Sequence, residues 1–345
     1  MAWVTLQNSK KAVRRAGDYL IGDDIDLVKF SESYGVLDNW RASHAYPIHS
    51  MLGYFKRKAY SVDANALVAR RLKRTPSILA KLRREGGMKL DRMEDIGGVR
   101  IVVKDLASVY KVAEKIIGGR TRNILKRKRD YIANPKHSGY RGIHLIYKYN
   151  GAKEGYPSHN VELQIRSQIQ HAWATTVEVV GAFTKQGLKA SKGDVIWLEF
   201  FELAGAVFAD FEQGAEPTTE QTAREDKFLQ QVDELGVLTK LQQYAVSSQY
   251  INENPVKDAK YYILILDTSK GNIQVGRFSD FQLASREYAT LDSNLKEAEH
   301  KDVVLVSTES LKSLSLAYPN YFADTTRFRQ NIRSLIANKR QQTNL

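Results

Sequence analysis

The chain has 345 residues, of which 43% are hydrophobic and 26% are charged, and its 52 Lys and Arg outnumber its 39 Asp and Glu to give a net charge of +13. This composition excludes wholesale disorder, and the length favours two domains. No apolar run is long enough to span a membrane or to act as a secretory signal, and the absence of cysteine excludes disulfides, thiolate metal sites and thiol catalysis. We therefore expect a cytoplasmic protein with no membrane partner.

The positive charge is concentrated in residues 55–130. This stretch holds 22 Lys and Arg against 8 Asp and Glu, a net charge of +14, whereas the rest of the chain is close to neutral. Such a field attracts polyanions, which include nucleoside triphosphates, nucleic acids and acidic lipid surfaces. The alternative is a set of solvated helix faces, and only the motifs inside the stretch decide between the two.

The predicted elements of the first half follow in chain order. Residues 1–60 have helical spacing with a break at Tyr46-Pro47, and Asn65 to about Gly86 is predicted as a helix that Pro76 interrupts. The β-branched run from Ile96 to Val103 predicts a buried strand, and a helix follows it. Further strands are predicted at 143–149 and 161–166, and further helices near 168–184 and 194–211.

The C-terminal part forms a separate unit in this interpretation. We predict one domain over residues 1–246, a linker over 247–257 and a second domain over 258–345. The second domain is predicted to contain strands at 261–266, 273–278 and 302–306 and a helix at 281–298.

The first motif with chemical content is basic: R71-L-K73-R-T-P-S77-I-L-A-K81-L. In the predicted helix, Arg70, Arg74, Ser77 and Lys81 lie within a turn or so of each other on adjoining faces. Cations grouped in this way would clamp a triphosphate, and an arginine could stack on a purine. A solvated basic helix is the alternative for this motif alone.

The second motif is D95-I-G-G-V-R100, where a carboxylate precedes a strand. Asp95 there could hold Mg²⁺ beside phosphates, because glycines allow a ligand to approach the backbone closely. An exposed turn aspartate fits this motif equally well.

The third motif joins S138-G-Y140-R-G-I-H144 to E162-L-Q164-I-R166. Alternation along a strand puts Glu162, Gln164 and Arg166 on one face, and a charged face on an otherwise apolar strand is costly unless it lines a site. Tyr140, flanked by glycine on a loop, is suited to stacking on a base.

Together the three motifs resemble, in order and spacing, the synthetase domain of the RelA/SpoT family over residues 50–210. The resemblance implies a nucleotidyltransferase-like α+β fold, with a mixed β-sheet flanked by helices. It also implies transfer of the β,γ-pyrophosphate of ATP to a ribose 3′-hydroxyl, with AMP released. The expected cofactor is Mg²⁺, with ATP as pyrophosphate donor. One departure is Gly142, where many alarmone synthetases carry a small hydroxyl residue.

The resemblance also implies a role for each motif position. Asp95 and Glu162 would be the catalytic pair that holds Mg²⁺, with Glu162 also placed to accept the hydroxyl proton. The expected ATP-binding residues are Arg71, Lys73, Arg74, Ser77, Lys81 and Arg100. The expected acceptor-binding residues are Lys136, Tyr140, His144, Gln164 and Arg166.

The acceptor is left open between two classes. A small alarmone synthetase would use GDP or GTP, whereas the toxic branch of the family resembles enzymes that pyrophosphorylate the 3′-CCA end of tRNA and so block translation. For a tRNA acceptor we expect a basic patch formed by Lys56, Arg57, Lys58, Lys126, Arg127, Lys128 and Arg129. A non-enzymatic binder of nucleotide or RNA is a third possibility, against which the intact Asp95 and Glu162 argue.

The C-terminal unit favours the toxic branch, because a synthetase fused to a module with a Tyr-x-x-Tyr element resembles the CapRel phage-defence proteins. In that family the module is zinc-finger-like but zinc-free, and it occludes the ATP site until a phage capsid protein binds. The resemblance implies an autoinhibitory role for Tyr318 and Tyr321, a toxin–antitoxin type of fusion and antiviral defence. Ordinary packing of two aromatic side chains is the alternative.

Overall fold

The computed structural model describes residues 3–23, 26–151, 153–156, 158–183, 188, 193–214, 217–239, 241, 261–267, 272–294, 301–307 and 325–343. Its helices are α1 (Lys10–Leu20), α2 (Leu27–Ser43), α3 (Ala45–Tyr60), α4 (Thr75–Arg84), α5 (Leu106–Ile117), α6 (Gln168–Phe183), α7 (Val195–Gln213), α8 (Thr219–Glu234), α9 (Phe281–Asn294) and α10 (Thr326–Thr343). Within the described ranges, none of these helices is both long and apolar enough to cross a bilayer.

The strands form two sheets. They are β1 (Leu67–Leu72), β2 (Gly97–Val103), β3 (Ile124–Asp130), β4 (Ile143–Lys148), β5 (Asn160–Ser167), β6 (Tyr261–Asp267), β7 (Asn272–Phe278) and β8 (Lys301–Ser307). The larger sheet has the order β1-β2-β5-β4-β3, and the smaller has the order β7-β6-β8. The expectation of an α+β chain with a mixed sheet flanked by helices is confirmed. The zinc-free, zinc-finger-like character of the C-terminal part stays a prediction.

Contacts along the chain divide it into two compact units. The first unit comprises Met1–Val103, Ala107–Asp130 and Ile143–Ile165, and the second comprises Lys104–Leu106, Tyr131–Gly142 and Arg166–Leu345. The predicted linker at 247–257 lies outside the described residues, so the division into 1–246 and 258–345 stays a prediction.

The predicted helix from Asn65 to Gly86 is wrong in its first half. Leu67–Leu72 forms β1, which pairs antiparallel with β2 from Leu67 opposite Val102 to Leu72 opposite Gly97. Arg, Leu and Ala favour a helix locally, but the hydrogen-bonding edge of the buried strand β2 determines the outcome. The helix begins only at Thr75, with Pro76 in its first turn, where proline is tolerated.

The five-stranded sheet of the first unit has one apolar face. Along β4 the odd-numbered residues Ile143, Leu145 and Tyr147 are buried. Phe55 of α3 contacts Tyr147, with 5.7 Å between their ring centroids, so α3 covers this face. The even-numbered residues of β4 and β5 therefore project to the opposite face.

The second unit has an aromatic helical core. Phe200 and Phe208 of α7 and Phe228 of α8 pack together, and Phe328 of α10 contacts both Phe200 and Phe208. Phe328 is fully buried, as is Ile332 one turn later. The last helix of the chain is thus an integral part of this core.

Candidate active site

The five-stranded sheet carries a polar face, which we define by the strand register. On β4, His144 lies opposite Gln164 of β5 and opposite Arg129 of β3. Residues directly opposite each other in a sheet project to the same side, so these three side chains share a face. Glu162, two residues before Gln164, lies on the same face and accepts a hydrogen bond of 2.9 Å from the Gln164 amide.

The polar face continues across β2 and β1. A Cβ atom added to Gly98 would lie 2.8 Å from the carbonyl oxygen of Glu162 and 3.6 Å from its Cβ, so only glycine allows β2 and β5 to approach this closely. Gly98 lies opposite Arg71 of β1, which places Arg71 on the polar face as well. Ala69 lies opposite Arg100, two residues further along each strand, so the side chain of Arg100, which is buried, also projects to this face.

Asp95 is held by two lysines. Its carboxylate lies 2.9 Å from Nζ of Lys73 and 3.1 Å from Nζ of Lys81. Lys73 is positioned by the end of β1, where its backbone N–H donates to the carbonyl of Ile96. Lys81 lies one helical turn after Ser77 on α4, and Arg74 is the residue that precedes this helix. Lys73, Lys81 and Asp95 are thus brought together, and Arg71 reaches the polar face from a strand.

The electrostatics of Asp95 favour its ionised form. Burial raises the pKa of this carboxyl and so does the nearby charge of Glu162, but the two lysines more than offset both, so the pKa lies below its usual value. Burial in turn lowers the pKa of the Lys73 ammonium, although Asp95 opposes this effect. Asp95 and its two lysines therefore form a desolvated cluster, in which each side chain stays ionised because of the opposite charge beside it.

The pKa of Glu162 on the polar face is strongly shifted by its surroundings. Glu162 is 8% exposed, and its Oε1 lies 2.9 Å from Nδ1 of His144. Burial acts to raise the pKa of Glu162, but His144, Arg71 and Lys73 lower it by more, and the pKa is held far below its usual range. Glu162 therefore stays anionic at all physiological pH values.

The donor set of the polar face fits Mg²⁺. Within the described residues no three acidic or imidazole side chains gather as a metal-binding group. Two ionised carboxylates whose charges interact nevertheless suit this ion, which is usually held by one or two carboxylates together with substrate phosphates. Asp95 and Glu162 are the residues that could hold it.

The seven basic residues of the expected patch do not form one surface. Lys126, Arg127 and Arg129 of β3 surround Glu94, whereas Lys128 lies 3.8 Å from Asp130. The remaining three, Lys56, Arg57 and Lys58, belong to α3, which covers the apolar face of the sheet. The two clusters therefore lie on opposite sides of the sheet.

A second group of expected site residues lies within the second unit. The guanidinium of Arg166 donates two hydrogen bonds, of 3.1 and 2.9 Å, to the hydroxyl of Tyr140. The ammonium of Lys136 lies 5.2 Å from the centroid of the Tyr140 ring. Gly142, the departure from the family pattern, has φ of 146°, a conformation that side-chain-bearing residues rarely adopt.

The loop that carries Tyr140 packs closely against α7 at two glycines, Gly139 of the loop and Gly205 of the helix. A Cβ atom on Gly205 of α7 would lie 2.5 Å from the carbonyl oxygen of Gly139, and one on Gly139, whose φ is 84°, would lie 2.7 Å from the carbonyl oxygen of Phe201. Arg141 fixes the same contact by donating to the carbonyl of Gly205 at 3.2 Å. Gly205 lies well outside the motifs, so no sequence signal pointed to it.

The expected autoinhibitory residues, Tyr318 and Tyr321, lie outside the described residues.

Residues 70–183 match the family model described as "Region found in RelA / SpoT proteins". An uncharacterized protein of Mycobacterium tuberculosis is 29% identical over 184 residues, which cover 52% of this chain and 62% of that protein. The GTP pyrophosphokinase YjbM of Bacillus subtilis is 35% identical over 111 residues, covering 31% and 52%. The GTP pyrophosphokinase of Escherichia coli is 29% identical over 136 residues, covering 39% and 17%. The chain thus spans less than two thirds of the length of each of these relatives.

Among solved structures, the small alarmone synthetase 1 of Bacillus subtilis bound to its product pppGpp gives a TM-score of 0.44 at 24% identity, over 51% of this chain and 93% of that one. The small alarmone synthetase 2 of the same organism gives 0.43 at 20% identity, over 51% and 94%.

The close contact of Gly205 with Gly139 yields a stability prediction. Replacing a glycine inside a helix with alanine ordinarily stabilises a protein by about 1 kcal/mol. Gly205→Ala should instead destabilise by about 1–3 kcal/mol, because the new methyl group must displace the backbone of the Tyr140 loop. Faster amide hydrogen exchange over residues 136–141 should accompany this loss.

Gly35→Ala is the matched control, since Gly35 lies inside α2 with no atom within 4 Å of an added Cβ. It should raise the unfolding temperature. A Gly205→Ala protein that gains stability as the control does, with unchanged exchange over 136–141, would contradict the assignment.

Proposed function

We propose that this chain, which contains a RelA/SpoT region over residues 70–183, is an ATP-dependent pyrophosphokinase. The observation that carries the proposal is a pair of ionised carboxylates whose charges interact, Asp95 held by two lysines and Glu162 held by His144. Two relatives of this chain are named GTP pyrophosphokinases, which supports the same reaction class.

The proposed reaction forms one phosphorus–oxygen bond and breaks another. The oxygen of a ribose 3′-hydroxyl forms a bond to the β-phosphorus of ATP, the bond between that phosphorus and the α,β-bridging oxygen breaks, and AMP leaves with the electron pair. Phosphoryl transfer of this kind needs positioning and charge stabilisation more than covalent chemistry. Lys73 and Lys81 supply two cations for the phosphate chain, and Arg71 and Arg100 are candidates for stacking on adenine.

Mg²⁺ bound by Asp95 and Glu162 would neutralise charge on the phosphate oxygens. The position of Ser77, one turn before Lys81, supports a further phosphate contact from the same helix.

Two roles were expected of Glu162, and the electrostatics support one of them. A carboxylate whose pKa is held far below its usual range accepts a proton poorly. Its permanent charge suits an anionic ligand that orients a cation. We therefore assign Glu162 to metal binding, and the hydroxyl proton leaves to solvent or to a phosphate oxygen of the substrate.

The carboxylate pair generates the first functional prediction. Asp95→Asn and Glu162→Gln preserve shape but remove the charge, so each should reduce the transfer rate by about a thousandfold or more. The measurement is the release of AMP from ATP in the presence of acceptor, with circular dichroism to confirm folding. Asp38→Asn, which neutralises a half-exposed carboxylate on α2, should retain the rate. A folded Glu162→Gln protein with undiminished transfer would refute the assignment.

The acceptor we favour is the 3′-CCA end of tRNA, with modification there blocking translation. Its support is the net charge of +14 over residues 55–130, more than one nucleotide requires, and the extension of the polar face to the basic strand β3. The proposed acceptor contacts are Lys136, Tyr140, His144 and Gln164. Arg166 holds the hydroxyl of Tyr140 in place.

A GDP or GTP acceptor is the second candidate, because two relatives are named GTP pyrophosphokinases. A binding protein without activity is the third, and it conflicts with the intact carboxylate pair.

The separation of the basic clusters gives a binding prediction. Replacing Lys126, Arg127 and Arg129 with Gln should weaken tRNA binding and flatten its salt dependence by about one counterion per lost phosphate contact. Replacing Lys56, Arg57 and Lys58 with Gln removes the same charge from the opposite side of the sheet and should have a much smaller effect. Fluorescence anisotropy of labelled tRNA at several salt concentrations measures both. Equal effects of the two triple variants would contradict a path over the polar face.

We further propose that residues 258–345 restrain the enzyme and that a phage capsid-type protein releases it. Support comes from α10, whose buried Phe328 and Ile332 anchor the end of the chain in the helical core. A segment tethered in this way acts at a high effective concentration, so a weak contact suffices for inhibition. Tyr318 and Tyr321 are the proposed inhibitory contacts, because aromatic rings can stack on arginines that would otherwise hold adenine.

The same anchoring determines how the restraint is tested. Removing residues 258–345 would also remove α10 and expose the helical core, so the test must use the full chain. Tyr318→Ala combined with Tyr321→Ala should raise the basal transfer rate about tenfold or more and make expression toxic. Tyr261→Ala with Tyr288→Ala, two tyrosines of the C-terminal sheet and α9, is the control for general loosening. An unchanged basal rate in the first variant, or an equal rise in both, would contradict the proposed lock.

A further inference from the structure

Glu94 is the acidic residue next to Asp95, and it lies inside a ring of cations from β3. Its carboxylate lies 3.0 Å from the ammonium of Lys126, 3.5 Å from the guanidinium of Arg127 and 3.3 Å from that of Arg129. The Glu94 side chain is 15% exposed, whereas the three basic side chains are between 37% and 48% exposed. One anion is therefore enclosed by three half-exposed cations.

A β-bulge makes this convergence possible. The pairing of β3 with β4 shifts register between Leu125 and Arg127, so Lys126 is an extra residue without a partner position. In a regular strand Lys126 would project away from Arg127, but a bulge re-aims the side chain it carries. Lys126 and Arg127 consequently both reach the carboxylate of Glu94.

The cluster has the chemistry of a phosphate site already filled by a side chain. Two guanidinium groups and an ammonium around two oxygens are the donors that bind phosphate elsewhere in proteins. One carboxylate neutralises one of the three positive charges, so the cluster keeps a net attraction for anions. A phosphate that binds there must compete with Glu94.

We infer that Glu94 is an internal competitor for the phosphate groups of the acceptor at Lys126, Arg127 and Arg129. The carboxylate of Glu94 holds the three cations close together. Only a ligand with a higher density of negative charge than this carboxylate can displace it. The cluster would then favour ligands with several adjacent phosphates over isolated anions. This inference deepens the proposed function by naming the residue that controls access of the acceptor's phosphates, but its test requires no transfer.

Glu94→Gln tests the inference because it keeps the shape of the side chain and removes its charge. Binding is measured without ATP for two probes, fluorescein-labelled tRNA by anisotropy and GTP by calorimetry. Removal of the competitor should tighten binding of at least one probe by about twofold to fivefold at moderate salt, the size expected when exposed ion pairs are exchanged. For tRNA, the slope of log K against log salt concentration should become more negative by about 0.7–0.9 for each lysine or arginine that leaves Glu94 and contacts a phosphate.

Two controls make the result specific. Glu85→Gln removes the same charge from a carboxylate that contacts Arg84, and it should leave both affinities unchanged. In a chain that also carries Lys126→Gln, Arg127→Gln and Arg129→Gln, the Glu94→Gln change should have no effect, because the cations it acts through are gone.

The two probes distinguish the source of the phosphate. Tightening for tRNA assigns the cluster to RNA phosphates, and tightening for GTP alone assigns it to a nucleotide acceptor. Unchanged or weaker binding of both probes overturns the inference, as does an effect that persists without the three cations. An inactive enzyme that still shows the tightening would refute the proposed transfer and leave the role of Glu94 intact.

Discussion

The ionised carboxylate of Glu162, enclosed on the face of a β-sheet, is the constraint on which the rest of the site depends. Such a charge is tolerated only when cations and hydrogen-bond donors surround it. His144 and Gln164 supply these contacts from β4 and β5. Gly98 lets β2 approach, and the charge of Glu162 in turn acts on Asp95, which needs its two lysines to stay ionised. The lysines and arginines around these two carboxylates meet the need for positive charge that their ionisation creates.

Much of this arrangement could be predicted from the sequence, because it depends on local patterns. The β-branched run from Ile96 to Val103 predicted a buried strand, and the strict alternation along residues 161–166 predicted a second strand. Both are present, as β2 and β5. Alternation also placed Glu162 and Gln164 on one face, where they are hydrogen-bonded.

The remainder depends on contacts between distant segments, which local patterns do not encode. β1 was expected as a helix, and only its pairing with β2 makes it a strand. The bulge at Lys126 and the enclosure of Glu94 arise from register, and the role of Gly205 arises from the packing of α7 on a loop far away in the chain. Lys56 and Arg129 lie on opposite sides of the sheet, and a count of charges along the sequence cannot show this.

The most direct test of the central claim follows the three phosphorus atoms of ATP separately. The full chain carrying Tyr318→Ala and Tyr321→Ala, the change expected to release its C-terminal restraint, is incubated with tRNA, or with GDP or GTP, and with ATP labelled in turn at the α, β or γ position. Pyrophosphate transfer predicts equal incorporation of β and γ label into the acceptor, none of the α label, and one AMP for each acceptor modified. Incorporation of γ label alone with formation of ADP, or no incorporation into any acceptor by an enzyme freed of its C-terminal restraint, would contradict the account.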